Sequence, residues 1–425
     1  MILLKVSNKF VTDNFEKNVK IDIDKYIELG GFVALKKAIS NGSEFVINEI
    51  KKANLLGRGG AAYPTWKKLE AAHNRVSNEK YLICNADEGE PGTFKDRDLL
   101  ILDPYKVIEG MIITGFTIGS SESYIYVREE YDYVQLELNK AIKKANEYGY
   151  LGNDILGSGF NFNIHVHTGA GSYNCGETTA LIESMHGRSC RSRLKIPRVG
   201  EKGYKGKPTL INNVETLAYI TAIIQKGSDE YIKLGTDKSI GTKVIALCGN
   251  VVNSGTYEVP FGVTINEIIN NLGGGIRNNN KVKFVQAGGA SCSIIPAEMF
   301  DLEYSYESFK EKDFQIGSGS MVVCDESIKL IDYLLATQKF FMNESCGKCT
   351  PCREGNKRLV EILTKISNGN GKVEDIDKLE SLSLSIKRSS LCGLGQTSPN
   401  ALLSVIKNYR DDCIMYINKG DINER

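Results

Sequence analysis

Three cysteines stand at equal intervals near the C-terminal end of the sequence, in the stretch NESCGKCTPCREGNKRL at residues 343–359. Cys346, Cys349 and Cys352 are three residues apart, so their thiolates can project from one tight loop toward a common point. Iron–sulfur clusters are bound by cysteine runs of this type, together with a further cysteine from elsewhere in the chain. Such a cluster passes single electrons, so another part of the chain is expected to supply or accept them.

The fourth thiolate is expected to come from Cys392, in the stretch SSLCGLGQTSPN. Gly393 and Gly395 beside it allow the backbone to lie close to a bulky inorganic core. Cys413 lies inside a helical pattern and is expected to be a packing residue. The same four thiolates can also hold a structural zinc ion. Zinc sites more often use paired C-x-x-C knuckles, so the third cysteine at the same interval favours a 4Fe–4S cluster.

The elements that must position these residues divide into three predicted units. Residues 1–238 alternate strand and helix patterns, which predicts an α/β unit with a largely parallel sheet. Residues 239–326 contain short strands and one helix, which predicts a small α+β module. Residues 327–425 have helical periodicity throughout, so a C-terminal helical bundle is expected, with the cysteine run between two of its helices.

Composition narrows the functional classes. The 425 residues are 41% hydrophobic and 25% charged with a net charge of +1, so nothing suggests bulk attraction to nucleic acid or anionic lipid. No apolar run approaches the roughly 20 residues of a membrane span, and no signal peptide is recognisable, so a cytoplasmic protein without direct membrane insertion is expected. In that compartment the cysteines outside the run are predicted to be small buried residues, not disulfides.

Two polar loops are candidate binding segments. LLGRGGAAYPTWKKLE is a Gly-rich turn in which Gly57, Gly59 and Gly60 permit close approach of an anion, with Lys68 one turn into the next helix, although loop closure alone also explains the glycines. YLICNADEGEPGTFKDRD runs from a strand into four polar side chains that suit a flavin or a nicotinamide carboxamide: Asn85, Asp87, Glu88 and Glu90.

Two further segments have the same character. HTGAGSYNCGETTALIESMHG is a strand, a Gly-rich loop and a helix start, so the backbone near Gly176 is a predicted phosphate site and Tyr173 offers an aromatic face. GKPTLINNVETLA places Asn212, Asn213 and Thr216 where another helix begins.

Together these motifs resemble one family. GRGGAAYPT, CNADEGEPGTFKDRD, YNCGETTAL, KGKPTLINNVETLA, ESCGKCTPCREG and SSLCGLG are similar to the NADH-binding flavoprotein subunit of respiratory complex I and to the diaphorase subunits of NAD(P)-linked hydrogenases and formate dehydrogenases. The resemblance implies an α/β domain binding FMN and pyridine nucleotide, a β-grasp (ubiquitin-like) module, and a helical bundle holding a 4Fe–4S cluster. It also implies hydride exchange between NAD(P)H and FMN, and single electrons between FMN and the cluster.

The resemblance assigns roles to individual residues. Glu90 matches the acidic residue near the nicotinamide, which makes it the candidate catalytic residue, and Tyr63 matches an aromatic that stacks on the nucleotide. Cys346, Cys349, Cys352 and Cys392 match the cluster ligands. The implied FMN site consists of Gly57, Arg58, Gly59, Gly60, Lys68, Asn85, Asp87, Glu88, Tyr173, Gly176, Glu177, Asn212, Asn213 and Thr216.

Two departures from the family pattern concern the nucleotide. Thr178 stands where NADH-specific members have a second glutamate facing the adenine ribose, and the family's K-P-P-F type run reads Lys195-Ile196-Pro197-Arg198 here. A carboxylate at that hydroxyl favours NAD(H), whereas an arginine accommodates a 2′-phosphate. We therefore expect a preference for NADP(H), with retained NAD(H) specificity as the alternative.

The electrons are expected to leave through other subunits. By resemblance the partners are a small 2Fe–2S thioredoxin-like subunit and a catalytic subunit, such as a hydrogenase or a formate dehydrogenase, and an electron-bifurcating assembly is compatible with the motifs. A zinc-stabilised assembly module without flavin is the competing interpretation from another functional class. The intact glycine loops and the acidic strand end argue against it.

Overall fold

Four parallel strands form the first sheet of the computed structural model, which describes residues 9–15 and 20–422. The strands are β1 (Tyr81–Ala86), β2 (Glu122–Val127), β3 (Asn163–Thr168) and β4 (Thr209–Asn213). They lie in the order β3-β2-β1-β4, so the chain extends from β1 in one direction and later returns to its other side. This arrangement places a topological switch point between β1 and β4, where open α/β sheets bind their ligands.

Helices cover this sheet, and the parallel sheet predicted from the sequence is confirmed. β1 is buried along nearly its whole length, as expected of a parallel strand covered on both faces. The helices are α1 (Ile23–Glu28), α2 (Val33–Asn41), α3 (Ser43–Lys52), α4 (Thr65–His73), α5 (Lys95–Leu102), α6 (Pro104–Ile118), α7 (Asp132–Glu147), α8 (Thr178–Met185), α9 (Val214–Lys226) and α10 (Ser228–Tyr231).

A second sheet with its own apolar core follows in the chain. Its strands are β5 (Thr242–Gly249), β6 (Gly255–Pro260), β7 (Val282–Ala287), β8 (Ile294–Pro296) and β9 (Ser320–Asp325), in the order β6-β5-β9-β7-β8. β5 and β9 pair in parallel, while the other pairs are antiparallel. Two short helices accompany the sheet, α11 (Ile265–Glu267) and α12 (Tyr306–Glu311).

The remaining described chain is helical. It contains α13 (Leu330–Glu344), α14 (Thr350–Ser367), α15 (Val373–Ser389), α16 (Gly393–Thr397), α17 (Asn400–Asn408) and α18 (Arg410–Ile422). α13 and α14 are joined by the short cysteine-containing loop, and they share an apolar core with α15 and α17. None of the helices in the described ranges has the length and apolar character needed to cross a membrane.

Buried polar side chains join the first unit to the second. Arg58 is only 1% exposed, and its guanidinium donates to the Tyr231 hydroxyl at 2.7 Å and to the Thr242 carbonyl at 3.0 Å. The same guanidinium lies over the rings of Tyr219 and Phe261. A charged group so enclosed depends on every one of these contacts, so the two units are fixed against each other here.

The expectation that no cysteine outside the run forms a disulfide was wrong for one pair. Cys175 and Cys190 are joined by a disulfide bond across a separation of 15 residues. Cys175 lies in the helical turn Tyr173–Gly176, and Cys190 lies in the irregular segment that follows α8. The sequence could not reveal this pairing, because nothing in it shows that this segment folds back over the turn. The bond fastens the segment that carries Lys195 and Arg198 to the loop between β3 and α8.

Candidate active site

A cavity of about 420 Å³ opens where the three units meet, at the carboxyl ends of β1 and β4. Its volume falls within the range of small-molecule and cofactor sites. The second unit contributes Ser291, Cys292, Gln315, Gly317 and Ser318, and the helical unit contributes Gly393, Leu394, Thr397 and Asn400. Ten residues singled out from the sequence also line it: Gly59, Gly60, Asn85, Asp87, Glu88, Glu90, Tyr173, Gly176, Glu177 and Asn213.

The loop after β1 leaves one carboxyl oxygen without a partner. Asn85 donates to the Gly176 carbonyl at 2.9 Å, which ties the two loops together. Asp87 Oδ2 is buried and has no hydrogen-bond partner within the described structure. Burial raises the pKa of Asp87 to about 8. Since buried polar atoms are nearly always paired, this oxygen is suited to a ligand.

Glu88 has a role that differs from the expected one. Its carboxylate accepts from the backbone N–H groups of Asp96 at 2.9 Å and Arg97 at 3.0 Å. It therefore satisfies two of the free N–H groups at the start of α5, which its negative charge also favours. Glu88 positions α5 and, through it, the Lys95 and Asp96 side chains that line the cavity.

Glu90 is held by two units at once. It accepts from the Tyr173 hydroxyl at 2.6 Å and from the Ser291 backbone N–H at 2.6 Å. Burial raises the pKa of its carboxyl group above the usual value. The second unit also comes very close here, since a Cβ built on Gly289 would lie 2.3 Å from Glu90 Cγ. Glu90 is thus fixed at the wall of the cavity.

The glycines of the cavity leave no room for side chains. A Cβ on Gly59 would lie 3.1 Å from Asn213 Cβ, and one on Gly89 would lie 3.1 Å from Tyr173 Cα. A Cβ on Gly176 would lie 3.3 Å from the Asp87 carbonyl oxygen. The loops after β1, β3 and β4 therefore approach one another backbone to backbone, which shapes a cradle that a planar ligand can fill.

We expect Gly176→Ala to weaken FMN binding, because the new Cβ would push the loops carrying Asp87 and Gly176 apart. An increase in the dissociation constant of about tenfold corresponds to about 1.4 kcal/mol. Quenching of FMN fluorescence on titrating apoprotein with the cofactor measures it. Gly255→Ala is the matched control, since its Cβ would meet only Tyr257 at an ordinary 3.5 Å. Equal affinities for the two variants would contradict this role for Gly176.

A second cavity of about 610 Å³ contains five more of the predicted residues: Tyr63, Lys68, Thr178, Lys195 and Arg198. Lys67, Arg75 and Lys80 also line it, whereas Glu201 is the one carboxylate among its lining residues. The two cavities share the start of α8, because Glu177 lines the first and Thr178 the second. A strongly cationic cavity therefore adjoins the one formed at the switch point.

Four predicted residues line neither cavity. Gly57 closes a turn by donating to the Tyr63 carbonyl, and Thr216 accepts from the Arg58 backbone N–H at 2.9 Å. The Arg58 side chain instead holds the first two units together, as described above. Asn212 is buried with its Nδ2 unpartnered, and its Oδ1 is 3.5 Å from Lys68 Nζ.

The four cysteines gather at one end of the helical unit. Cys352 lies within electrostatic range of the other three thiols, and it packs in one buried cluster with Cys349 and Cys392. Cys349 and Cys392 each precede the first residue of a helix, α14 and α16. Asn356 Nδ2 donates to Cys352 Sγ at 3.3 Å. In the described ranges no group of three or more Cys, His, Asp or Glu side chains is spaced to hold a single ion.

The cysteine cluster and the first cavity are in direct contact. Tyr173, which lines the cavity, packs against the buried cluster that contains Cys352 and Cys392. Its backbone N–H donates at 2.9 Å to Glu344, the last residue of α13. Leu394 belongs to both the cavity and the cysteine cluster. A cofactor in the cavity would therefore lie beside the group held by the cysteines.

The sequence reasoning missed part of the site. Lys95 and Asp96 stand within the quoted motif CNADEGEPGTFKDRD, and their position at the start of the helix after the acidic loop was the available signal. The residues from the second unit and from α16 and α17 gave no such signal. Their segments contain no recognisable ligand-binding motif, and only the packing of the three units brings them to the cavity.

Comparison with known proteins agrees with this arrangement. The family described as Nuo51 FMN-binding domain matches residues 50–222, and the NADH-ubiquinone oxidoreductase-F iron-sulfur binding region matches residues 332–416. The second F-type component of NADH-quinone oxidoreductase in Rhizobium meliloti is 40% identical over 389 residues, which cover 91% of this chain and 92% of the relative. The chain belongs to the NADH-quinone oxidoreductase-F family.

The same family includes a hydrogenase relative. The NADP-reducing hydrogenase subunit HndC of Solidesulfovibrio fructosivorans is 45% identical over 394 residues, covering 92% of this chain and 79% of the relative. A crystal structure of an NAD+-reducing [NiFe]-hydrogenase in the H2-reduced state superposes with a TM-score of 0.84 at 30% identity, covering 94% of this chain and 67% of that one. As a member of this family, the chain is an NAD(P)H oxidoreductase (diaphorase) subunit that binds FMN and a 4Fe–4S cluster.

Proposed function

We propose that FMN binds in the cavity of about 420 Å³ and that Cys346, Cys349, Cys352 and Cys392 bind the 4Fe–4S cluster. The contact between the cavity wall and the cysteine cluster, through Tyr173 and Leu394, carries this proposal. The unpartnered Asp87 Oδ2 and the crowded glycines fit a flavin, and the Asn356 donor to Cys352 fits a metal-bound sulfur. A bound flavin exchanges a hydride with a pyridine nucleotide and single electrons with the cluster.

The protein itself supplies orientation and the exclusion of water. Glu90, fixed by Tyr173 and Ser291, is placed to orient the nicotinamide end of the nucleotide at the cavity wall. The raised pKa of Glu90 favours its neutral form, which can donate a hydrogen bond as well as accept one. The second unit closes over this point and keeps the hydride-transfer region away from solvent.

We further propose that the nucleotide is NADP(H), with its adenosine half in the second cavity. Six cationic side chains line that cavity, namely Lys67, Lys68, Arg75, Lys80, Lys195 and Arg198. Thr178 and Arg198 lie there together, so the carboxylate that would repel a 2′-phosphate is replaced where a guanidinium is available. The name of the NADP-reducing relative agrees with this preference.

The assembly and its setting are also proposals. The named relatives are subunits of larger enzymes, so we propose that this chain delivers electrons to a 2Fe–2S thioredoxin-like subunit and a catalytic subunit in the cytoplasm. The five-stranded mixed sheet at residues 242–325 supports the β-grasp assignment of the second unit. An electron-bifurcating complex is one arrangement consistent with these parts.

The direct test is the colour of the purified chain. The anaerobically prepared and reconstituted protein should be yellow-brown, and its visible absorption should bleach when NADPH is added. The bleaching reports electrons entering the flavin, so it tests the nucleotide, the flavin and their contact together. A colourless protein that contains zinc instead of iron would contradict the proposal.

FMN affinity should fall as the pH rises through about 8. Burial raises the pKa of Asp87 to about 8, so its carboxyl group is mostly neutral at lower pH and ionises above it. Ionisation puts a buried negative charge beside an anionic cofactor, which costs binding free energy. Dissociation constants measured by fluorescence from pH 6 to 9 should rise for the natural chain and vary less for Asp87→Asn. Parallel pH profiles would rule out Asp87 as the titrating group.

A further inference from the structure

Four buried charged side chains form a network at the wall of the flavin cavity. Lys95 lines the cavity and is 1% exposed, with its Nζ 2.6 Å from Asp96 Oδ1 and 2.9 Å from Glu215 Oε2. Lys243, in β5 of the second unit, reaches the same Glu215 oxygen at 2.6 Å. Two cations thus face two carboxylates, and the sequence motifs assign a role to none of the four.

The network is rigid because each member has further partners. Glu215 accepts from the Val244 backbone N–H at 2.9 Å, and Lys243 donates to the Ser318 carbonyl at 3.0 Å. Asp96 accepts from Asn213 Nδ2 at 2.6 Å. Glu215 and Lys243 belong to different units, so the position of Lys95 depends on how the units are packed together.

The charges in this network persist at neutral pH. Burial opposes the charge of Lys95, but Asp96 and Glu215 outweigh it and raise the pKa of Lys95. Burial likewise opposes the charge of Glu215, but Lys243 and Lys95 keep its pKa below the ordinary value. Lys243 is the weaker cation, because burial lowers its pKa to about 7 despite Glu215.

We propose that Lys95 tunes the flavin: its buried ammonium stabilises the negative charge that the flavin gains on reduction, while Glu215 and Lys243 are the positioning residues that hold it. This inference rests on the placement of FMN proposed above. A hydride brings two electrons and one hydrogen nucleus, so the flavin gains one negative charge unless a second proton follows. A fixed cation in a poorly screened site favours that reduced form over the oxidised one.

The test uses isosteric variants that change the network charge in opposite directions. Lys95→Met leaves two carboxylates with one cation, so the ratio of FMN dissociation constants, reduced over oxidised, should rise by about tenfold, or about 30 mV lower potential for a two-electron couple. Glu215→Gln should shift the ratio by a similar factor the other way. Lys243→Met should follow Lys95→Met with a smaller shift. Anaerobic spectroelectrochemical titration gives the potentials.

Opposite signs separate this role from a structural one, since simple damage to the pocket would shift both variants alike or release the flavin from both. Asp96→Asn replaces Glu215→Gln if the latter does not fold. Glu109→Gln is the control, because Glu109 is a buried carboxylate in α6 that lies outside the cavity. Potentials that stay unchanged, or that move in the same direction in all variants, overturn the inference.

Failure of the underlying site assignment would look different. If FMN does not occupy this cavity, Gly176→Ala would leave its affinity unchanged, and the natural protein would bind FMN with no response to any substitution in the network. If the cavity holds FMN but Lys95 does not tune it, Gly176→Ala would weaken binding while the potentials of the network variants stay at the natural value.

Discussion

A chain carrying Cys392→Ala is expected to lose its four-iron cluster while it keeps its flavin. Cys392 is buried just before α16, and its Sγ lies 3.9 Å from Asn174 Oδ1, so no nearby thiol outside the run can replace it. Iron should fall well below the roughly four atoms per chain of an intact cluster. Reduction of the flavin by NADPH should continue, because the nucleotide and the flavin do not depend on this ligand.

Cys413→Ala is the matched control for this experiment. Cys413 is also a buried cysteine of the helical unit, but it packs in the apolar core with Leu334 and Ile417. The variant should retain its iron and its brown colour, apart from a modest loss of stability from the lost side chain. Iron analysis and visible spectra of both proteins decide the matter. Equal iron in the two variants would contradict Cys392 as the fourth ligand.

The double variant Thr178→Glu, Arg198→Phe should exchange the nucleotide preference. The glutamate restores a partner for a free 2′-hydroxyl and repels a 2′-phosphate, and the second change removes the guanidinium that would pair with that phosphate. If each change contributes about 1.4 kcal/mol, or tenfold, the ratio of kcat/KM for NADPH over NADH should fall by about 100-fold. Steady-state diaphorase assays with both nucleotides measure the ratio.

The control removes an arginine from the same segment without touching the cavity. Arg188 is exposed and pairs with Glu183, and it does not line the second cavity. Arg188→Phe should therefore leave the ratio where the natural chain has it. A natural chain that already favours NADH in kcat/KM would show that the cationic cavity does not select the 2′-phosphate, and the proposed specificity would then be wrong.

The site residues that could be predicted are those announced by local chemistry. The cysteine spacing points to a metal centre because three thiols in one loop have little other use, and the polar run after β1 indicates a site because strand ends of parallel sheets carry ligands. These signals reside within a few consecutive residues. Ten of the predicted residues line one cavity, and this convergence follows from β1 and β4 being neighbours.

The remaining features depend on contacts between units, which local patterns do not encode. Arg58 stands in a glycine loop that suggests an anion site, yet its guanidinium is occupied by Tyr231 and Thr242 across the junction of two units. Lys243 reads as one polar residue in an apolar strand, and only the packing of β5 against α9 gives it Glu215 as a partner. The Cys175–Cys190 bond likewise depends on the path of an irregular segment.

The central claim is that electrons pass between a flavin in the cavity and a cluster held by four cysteines, and one anaerobic titration tests it most directly. The reconstituted protein is titrated with NADPH while visible absorption follows the flavin and electron paramagnetic resonance follows the cluster. The account predicts that the flavin bleaches and that the signal of a reduced 4Fe–4S cluster appears with it. Bleaching without that signal, or a reconstituted chain that holds neither iron nor FMN, would contradict the account.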